Sequence, residues 1–510
     1  MISPLSSIER LWHTAPADAW AELVPLLAPD AGRPLLFHTG LFLFVFTAFY
    51  VVYAALSQQR HTVLRLLYVT AFSYWLYYRN AGAYCLVLAL LTLVIFLAVL
   101  AMDRCQRRGA RRAWLVVCVV ALLGMLGYFK YTNFFLTAVL PLLTGQAGEV
   151  IDLCVPLGIS FYTFQTLSYV VDVYRRQMPA THSLLDFAFF VSFFPTLLSG
   201  PILRARTFLP QLRQPLQVTR DMFGTGLWMI VMGLFKKCVL SDYIGMNFVN
   251  RIFEAPDLYT GMEALIGVYG YTLKIYCDFS GYSDMAIGLA LWMGLRIPEN
   301  FRAPYKAYSV TEFWRRWHIS LSLWLRDYLY IPLGGNRCKA WRMHLNQLLT
   351  MLLGGLWHGA SWNFVIWGGL HGVALCVHKL WRKGLHRAKG YEPRGLRRVC
   401  ATVLTFHVVA FCWVFFAAPT LPVALTLLSR IALDFHGELL PQFLAGYPTV
   451  ASLILLGYIL HFLPSAWNDR MRRAIGSAPL LAQLLLMGAT ILLVMQVLGS
   501  EVQPFIYLQF

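Results

Sequence analysis

Long apolar runs separated by short basic clusters constrain this chain more than any other feature. Several runs exceed about 18 apolar residues, the length that a helix needs to cross a bilayer. Hydrophobic residues make up 58% of the 510 positions and charged residues only 13%, so one soluble core could not cover the apolar surface. The sequence therefore predicts an all-α polytopic membrane protein.

The basic residues point to membrane orientation rather than to a nucleic-acid partner. The formal net charge is +18, but Lys and Arg occur in short clusters between apolar segments, as they do in cytoplasmic loops. We therefore expect no nucleic-acid binding. The ten cysteines are scattered, without a CxxC pair or a Cys/His ligand spacing. We expect them to be reduced packing residues and expect no metal site.

The arginine-rich loop after the third apolar run sets the predicted topology. Five arginines lie close to a membrane exit and belong in the cytoplasm: Arg104, Arg107, Arg108, Arg111 and Arg112. Counting back through spans at residues 35–56, 63–78 and 81–102 places the N-terminus outside. The same rule, applied to the later basic clusters, gives further spans at residues 114–131, 153–174, 399–418, 449–462 and 480–498.

The region between residues 185 and 295 resists such counting, because prolines and charged residues interrupt its apolar runs. The interrupting residues are Pro195, Pro201, Lys236, Lys237, Asp278 and Asp284. Broken or re-entrant helices are expected there. The whole chain is expected to hold about eleven transmembrane helices, together with re-entrant or interfacial pieces.

Three parts of the chain differ in composition. Residues 1–34 are polar and slightly acidic, and they predict an extracytoplasmic extension with an interfacial amphipathic helix at about residues 8–27. Residues 35–498 form the predicted membrane domain. Residues 499–510 form an aromatic tail, which the topology places outside.

The stretch from residue 311 to residue 372 carries ionisable groups at membrane depth. A charged side chain there costs about 2.5 to 3.5 kcal/mol or more, so His318, Arg326, Asp327 and His358 need partners, a polar cavity or a chemical task. His358, in GGLWHGASWNF, is either a satisfied interhelical donor or a general base for a hydroxyl nucleophile. His318, in WRRWHISLS, could orient a substrate, and His371 is expected to be structural, as is His378.

Two further clusters each allow two interpretations. Basic residues around WRRWH either hold an interfacial helix to anionic lipid or bind the phosphates of an acyl donor, with these candidates: Lys306, Arg315, Arg316 and Arg326. In YCDFSGYSDMAIG, Asp278 and Tyr282 are four residues apart and can share a helical face. They either make interhelical contacts or line a tunnel, and the tunnel-wall candidates are Asp278, Tyr282, Asp284, Asp327, Trp357 and Asn363.

Tyr507 lies in the aromatic tail SEVQPFIYLQF. An aromatic tail at an interface is commonly a membrane anchor. A tyrosine hydroxyl on a tether of about ten residues could instead fold back and act as a transient acyl carrier. Both interpretations stay open from the residues alone.

Several motifs in this order carry a resemblance to a known family. They are VPLGISFYTFQ, FFPTLLSGPI, YCDFSGYSDMAIG, NFRAPYKAYSVTEFWRRWHISLSLWLRDYLYIPLGG, LWHGASWNFVIWGGLHG and PFIYLQF. Over roughly residues 35–510 the chain resembles the membrane-bound O-acyltransferase family, in the bacterial branch that includes the membrane subunit of alginate O-acetyltransferase. The polar extension departs from that branch and leaves the polymer open.

The resemblance implies a funnel-shaped helical fold with a tunnel, in which His358 is the catalytic base and His318 a second active-site residue. It also implies acetyl-CoA as a cytoplasmic donor substrate, with no bound cofactor. In that branch the chain would lie in the bacterial inner membrane, with both termini periplasmic. A periplasmic partner of the Ser-based, esterase-like SGNH type would complete O-acetylation of an exopolysaccharide or cell-surface glycan, beside a polysaccharide synthase or secretion complex and membrane lipid.

Other functions remain to be distinguished. A D-alanyl transferase acting on teichoic acid would use a carrier protein as donor, and an acyl-chain transferase would act on lipids or sterols. A lipid or glycan transporter would show inverted repeats with matching broken helices, which the sequence lacks. A non-catalytic scaffold of a secretion complex would tolerate loss of His358. No GxSxG, HExxH or Gly-rich phosphate loop occurs.

Overall fold

The computed structural model describes residues 28–29, 34–58, 62–214, 217–386, 391–497 and 503–506, and no strand occurs among them. The interfacial helix predicted at residues 8–27 lies outside the described residues. In the described ranges we number the α-helices as follows: α1 Gly40–Gln58, α2 Thr62–Ala81, α3 Tyr84–Arg104, α4 Arg108–Thr144, α5 Ile159–Tyr174, α6 Leu184–Ser192, α7 Phe194–Leu197, α8 Ala205–Leu212, α9 Arg220–Glu254, α10 Gly261–Trp292, α11 Val310–Phe313, α12 Ile319–Leu325, α13 Ala340–His358, α14 Trp362–Gly384, α15 Gly395–Ala417, α16 Leu421–Leu433, α17 Leu440–Gly446, α18 Pro448–Phe462, α19 Ser465–Ser477 and α20 Leu480–Val497.

The chain is a multi-pass membrane protein by the length and composition of these helices. Within the described ranges, six helices are long and apolar enough to cross a membrane: α1, α3, α4, α9, α14 and α15. A seventh span arises if α17 and α18, which meet at a bend of 102°, are counted as one. The expected number of about eleven is not confirmed. The helix α10 is 32 residues long but is not among these spans, and it carries several charged residues.

The region from residue 185 to residue 295 divides into a broken part and an unbroken part. The expected interruption is confirmed for α6, α7 and α8, which have nine, four and eight residues. It is wrong for α10, which runs for 32 residues. The helix α9 continues over 35 residues but passes through two π-helical segments, Phe235–Asp242 and Gly245–Val249. The charged residues are accommodated because they pair across the two helices, with Lys236 Nζ 2.6 Å from Asp284 and Lys237 Nζ 2.7 Å from Asp278.

Glycines let α9 and α10 approach closely enough for these pairs. A Cβ added at Gly233 would lie 2.6 Å from the Gly281 carbonyl oxygen, and one at Gly288 would lie 2.6 Å from the Gly226 carbonyl oxygen. Only glycine fits at such a backbone contact. The two helices therefore form one packed pair at the centre of the molecule, and α13 with α14 forms another through Gly355.

The fourth helix is longer than the sequence predicted. The expected span ends at residue 131, whereas α4 continues to Thr144 through two π-helical segments, Gly127–Tyr131 and Phe135–Val139. A π-helical turn inserts an extra residue and changes the direction of the side chains that follow. The first of these segments carries Lys130, which reaches the candidate active site.

Candidate active site

His358 is the last residue of α13 and is buried, with 2% of its surface exposed. The last four carbonyl groups of a helix have no partner within the helix. Here Lys130 Nζ donates to the carbonyl oxygens of Trp357 at 2.8 Å and His358 at 3.0 Å. The Tyr131 hydroxyl donates to the Leu356 carbonyl oxygen at 2.8 Å. The segment around Lys130 therefore caps the helix that presents His358, and a cation is favoured at this end of the helix dipole.

Sequence reasoning missed Lys130. The available signal was a single lysine inside the apolar run GYFKYTNFF, since an ionisable residue at membrane depth needs a partner or a task. The partner could not be named, because Lys130 lies 228 positions before His358 in the chain.

Replacing Lys130 by methionine is expected to lower the turnover rate while leaving the affinity for the acyl donor nearly unchanged. The variant keeps an unbranched side chain but leaves two carbonyl groups at the end of α13 without their donor, so His358 is no longer held in one place. A misplacement of about 1 Å can cost about a hundredfold in rate. Steady-state kinetics of purified protein would measure it, with Tyr131→Phe, which removes one bond only, as the milder comparison. An unchanged turnover in Lys130→Met would contradict this role.

His318 is held in a left-handed backbone conformation, with φ of 42°, immediately before α12. For a residue with a Cβ this costs about 1 to 2 kcal/mol. Asn300 compensates, because its carbonyl oxygen accepts from the Ile319 N–H at 3.0 Å and its side chain lies 3.1 Å from His318 Nδ1. The backbone therefore fixes the position of the His318 ring.

The partners of Asn300 also determine which His318 nitrogen carries hydrogen. The Ser320 N–H donates to Asn300 Oδ1 at 3.2 Å, and a backbone N–H can only donate. The amide atom facing His318 Nδ1 is therefore the oxygen, and Nδ1 must be the donor. In the neutral ring Nε2 then carries the lone pair.

The two histidine rings lie side by side in an aromatic enclosure. Their centroids are 6.4 Å apart, and the Trp357 ring contacts both, at 5.0 Å from His358 and 6.0 Å from His318. Phe279 packs edge-on against His318 at 4.7 Å, and Trp367 packs against His358 at 5.0 Å. The structure thus brings together the two histidines that the sequence singled out, although 40 positions separate them.

The tunnel-wall candidates beside His358 hold the local backbone. The Trp357 indole N–H donates to the Ser160 carbonyl oxygen at 3.3 Å. The Asn363 side-chain amide donates to the Ala418 carbonyl oxygen at 2.8 Å and ties the start of α14 to the end of α15. Both side chains are buried.

The candidates on α10 make interhelical contacts, and one helical face does present Asp278 and Tyr282. Asp278 accepts from Lys237 and also from the Ile506 N–H at 2.8 Å. The Tyr282 ring packs edge-on against Phe505 at 4.6 Å. Asp284 pairs with Lys236. This face therefore contacts the segment Gln503–Ile506, and the same helix also carries Phe279, whose ring contacts His318.

Three of the four donor-binding candidates have a partner of their own, and the fourth is exposed. Arg316 pairs with Glu312 at 2.6 Å, and Lys306 donates to the Leu463 carbonyl oxygen at 2.5 Å. Arg326 pairs with Asp327, which also faces Arg204. Arg315 is exposed.

The remaining histidines of this stretch make contacts with neighbouring helices. His371 is buried and lies 3.3 Å from the indole nitrogen of Trp314. His378 Nδ1 lies 3.0 Å from the Thr311 hydroxyl. These contacts agree with the structural roles expected for both residues.

Comparison with known proteins identifies a family and several relatives. The family model described as MBOAT, membrane-bound O-acyltransferase family, matches residues 42–418. The chain is 41% identical over 394 residues to a probable alginate O-acetylase of Pseudomonas aeruginosa, covering 76% of this chain and 73% of that protein. It is 35% identical over 425 residues to a peptidoglycan O-acetyltransferase of Helicobacter pylori, covering 77% and 79%. A teichoic acid D-alanyltransferase of Bacillus subtilis is 31% identical over 274 residues, covering 51% of this chain and 68% of that protein.

Proposed function

We propose a specific reaction on the premise that the chain belongs to the membrane-bound O-acyltransferase family and is an O-acyltransferase. In this reaction the protein moves acetyl groups from cytoplasmic acetyl-CoA across the inner membrane for O-acetylation of an exopolysaccharide or cell-surface glycan. The observation that carries this proposal is the buried pair of His318 and His358, each fixed by its own backbone support. The named activities of the relatives, on alginate and on peptidoglycan, favour a polysaccharide acceptor.

In the proposed reaction His358 acts as the general base. It removes a proton from an acceptor hydroxyl, whose oxygen attacks the thioester carbonyl carbon. The carbon–sulfur bond breaks, and the departing thiolate takes the proton from the His358 imidazolium, so that an ester and a free thiol are formed. His318, with Nδ1 donating to Asn300, presents Nε2 to the same enclosure and orients the reacting groups.

The basic clusters support the proposed direction of transfer. Under the positive-inside rule the arginines between α3 and α4, and those between α14 and α15, lie in the cytoplasm. This orientation puts both termini in the periplasm. The donor would enter from the basic side of a funnel of about eleven helices, where the exposed Arg315 is available to the phosphates of the donor.

Reversing the charge of Arg315 and Arg316 is expected to weaken donor binding. Arg315→Glu with Arg316→Glu replaces two phosphate-binding cations by anions, and an increase of about tenfold or more in the KM for acetyl-CoA is expected, since charge-assisted bonds to phosphate are among the stronger hydrogen bonds. The single change Arg315→Glu, which leaves the Arg316–Glu312 pair intact, should give part of the effect. Arg107→Glu with Arg108→Glu, an adjacent pair of arginines that are both exposed, is the control for the change in charge. An unchanged KM for acetyl-CoA would contradict a role of Arg315 and Arg316 in donor binding and would favour their role in holding the helix to anionic lipid.

We further propose that Tyr507 carries the acetyl group between the membrane site and a periplasmic partner of the SGNH, esterase-like type. Tyr507 itself lies outside the described residues. The four residues before it, Gln503–Ile506, are described and lie against α10, the helix that also carries Phe279, whose ring contacts His318. In this proposal the carrier receives the acetyl group from acetyl-CoA with His358 as base.

A D-alanyl transferase is the second candidate, favoured by the 31% identity to the Bacillus subtilis protein. Purified protein in detergent, incubated with acetyl-CoA labelled in the acetyl group, distinguishes the two. Release of free CoA with transfer of label to the chain or to a glycan supports acetyl transfer. No transfer from acetyl-CoA, together with transfer from a D-alanyl carrier protein, would overturn the proposed donor. Full glycan acetylation in a variant that lacks His318 and His358 would identify a scaffold.

A further inference from the structure

We infer that the buried cluster of Lys237, Asp242 and Asp278 is a docking site for polypeptide backbone, and that it holds the chain's own segment Gln503–Ile506 against α9 and α10. We call these three residues the docking cluster. The docking itself follows from contacts; its use in acyl transfer rests on the proposed function.

The docking cluster is buried and has more acceptors than an isolated pair. Lys237 Nζ lies 2.8 Å from Asp242 and 2.7 Å from Asp278, and all three side chains are at most 4% exposed. Buried charges are tolerated only when they are paired and hydrogen-bonded. Two carboxylates share the Lys237 ammonium, while Lys274, which lines the same cavity, donates to Asn250 Oδ1. Asp278 can therefore accept a further hydrogen bond from another donor.

The segment supplies that donor and also an acceptor. The Ile506 N–H donates to Asp278 Oδ2 at 2.8 Å, and Lys237 Nζ donates to the Pro504 carbonyl oxygen at 3.3 Å. An ammonium group has three donors, and those of Lys237 meet Asp242, Asp278 and Pro504. The docking cluster thus binds one N–H and one C=O of the same segment, and these are backbone groups that do not depend on the identity of the side chain.

The side chain between these two bonds is also enclosed. Phe505 is 1% exposed, and its ring packs edge-on against Tyr282 at 4.6 Å and against His38 at 4.9 Å. Lys237 Nζ lies 4.5 Å from the same ring centroid, within the range of a cation–π contact. The site therefore selects an aromatic residue at this position as well as two backbone groups.

The neighbouring ion pair shows what a purely structural contact on these helices looks like. Lys236 pairs with Asp284 alone among carboxylates, and these side chains are 19% and 22% exposed. By contrast, the docking cluster adjoins a cavity of about 340 Å³ whose lining includes Lys237, Asp278, Pro504 and Ile506. The docked segment is one wall of this cavity, so its position determines what the cavity can accept.

Hydrogen–deuterium exchange of the full chain in detergent tests the inference without any substrate. Ile506→Pro removes the N–H that Asp278 accepts, and Ile506→Val is its matched control because it keeps that N–H. Asp278→Leu removes the acceptor, yet leaves Lys237 paired with Asp242. Both Ile506→Pro and Asp278→Leu are expected to raise the exchange rate of the remaining amides of the C-terminal peptide by about tenfold or more.

The second control removes the neighbouring pair as a whole, by Lys236→Met with Asp284→Leu. It should leave exchange in the C-terminal peptide unchanged, since these residues do not belong to the docking cluster. Wild-type protection in both Ile506→Pro and Asp278→Leu would overturn the inference, as would equal loss in the Lys236/Asp284 control. Because no acyl donor is present, a failed acetyltransferase assay in the wild-type protein would reject the proposed function and leave the docking result standing.

Discussion

Replacing His358 by alanine is expected to abolish acetyl transfer while leaving the protein folded. His358 ends α13, and its backbone contacts to Lys130 and to the helix do not involve the imidazole. In the proposed reaction the ring is the base that accepts the hydroxyl proton, and general base catalysis contributes typically about 10²- to 10⁴-fold in rate. Acetylation of the glycan in cells, together with CoA release by purified protein, measures the loss.

His407→Ala is the matched control for that experiment. His407 lies on the exposed side of α15, where it contacts the Tyr269 hydroxyl, so its removal should leave transfer at the wild-type level. Size-exclusion chromatography of both variants shows whether folding is retained. Normal acetylation in a folded His358→Ala protein would contradict the role of His358 as general base and would favour a scaffold or a transporter. His318→Ala should reduce turnover through lost orientation, with His318→Gln recovering part of it.

The helical class could be predicted, and the two histidines could be singled out, because both inferences depend on the cost of placing groups in lipid. Apolar length alone identifies spans such as α1, α3 and α15. The same cost makes His318 and His358 conspicuous in the sequence, and the roles that the family resemblance implies for them stay predictions. The geometry adds that the two rings are adjacent.

The errors came from partners that are distant in the sequence. The charges of Lys237 and Asp278 suggested broken helices. The sequence does not show that these two residues, 41 positions apart, form an ion pair where two helices meet at glycine contacts. Asn300 and Lys130 escaped notice for the same reason. Each acts through a bond to a backbone or ring position that only the tertiary fold brings near.

The fold also changes the weight of the two interpretations of the aromatic tail. A membrane anchor would expose its aromatic rings to lipid, whereas Phe505 and Ile506 are buried at 1% and 6% exposure, in a segment that contacts His38, α9 and α10. Burial of this kind directs the segment toward the interior of the protein. A chemical role for the hydroxyl of the next residue, Tyr507, can then be tested by a substitution that removes only its oxygen atom.

Changing Tyr507 to phenylalanine is accordingly expected to reduce glycan acetylation to background. The change keeps the ring and removes only the hydroxyl. In the relay the phenol oxygen attacks the thioester carbon, His358 takes the phenol proton and returns it to the departing thiolate, and an acceptor hydroxyl of the partner later releases the phenol. A phenol with a pKa near 10 is a slow nucleophile at neutral pH without such a base. Mass spectrometry of the wild-type protein incubated with acetyl-CoA should find the acetyl group on Tyr507, and His358→Ala should lack it.

Phe510→Leu separates this relay from anchoring. It removes an aromatic ring from the same tail and leaves the Tyr507 hydroxyl in place. An anchor predicts that Phe510→Leu impairs function more than Tyr507→Phe, because interfacial attachment depends on aromatic rings and not on one oxygen. A carrier predicts the reverse order. Normal acetylation in Tyr507→Phe would refute the carrier while leaving the docking of Gln503–Ile506 intact, since the contacts of that segment involve backbone groups and Phe505 rather than the tyrosine hydroxyl.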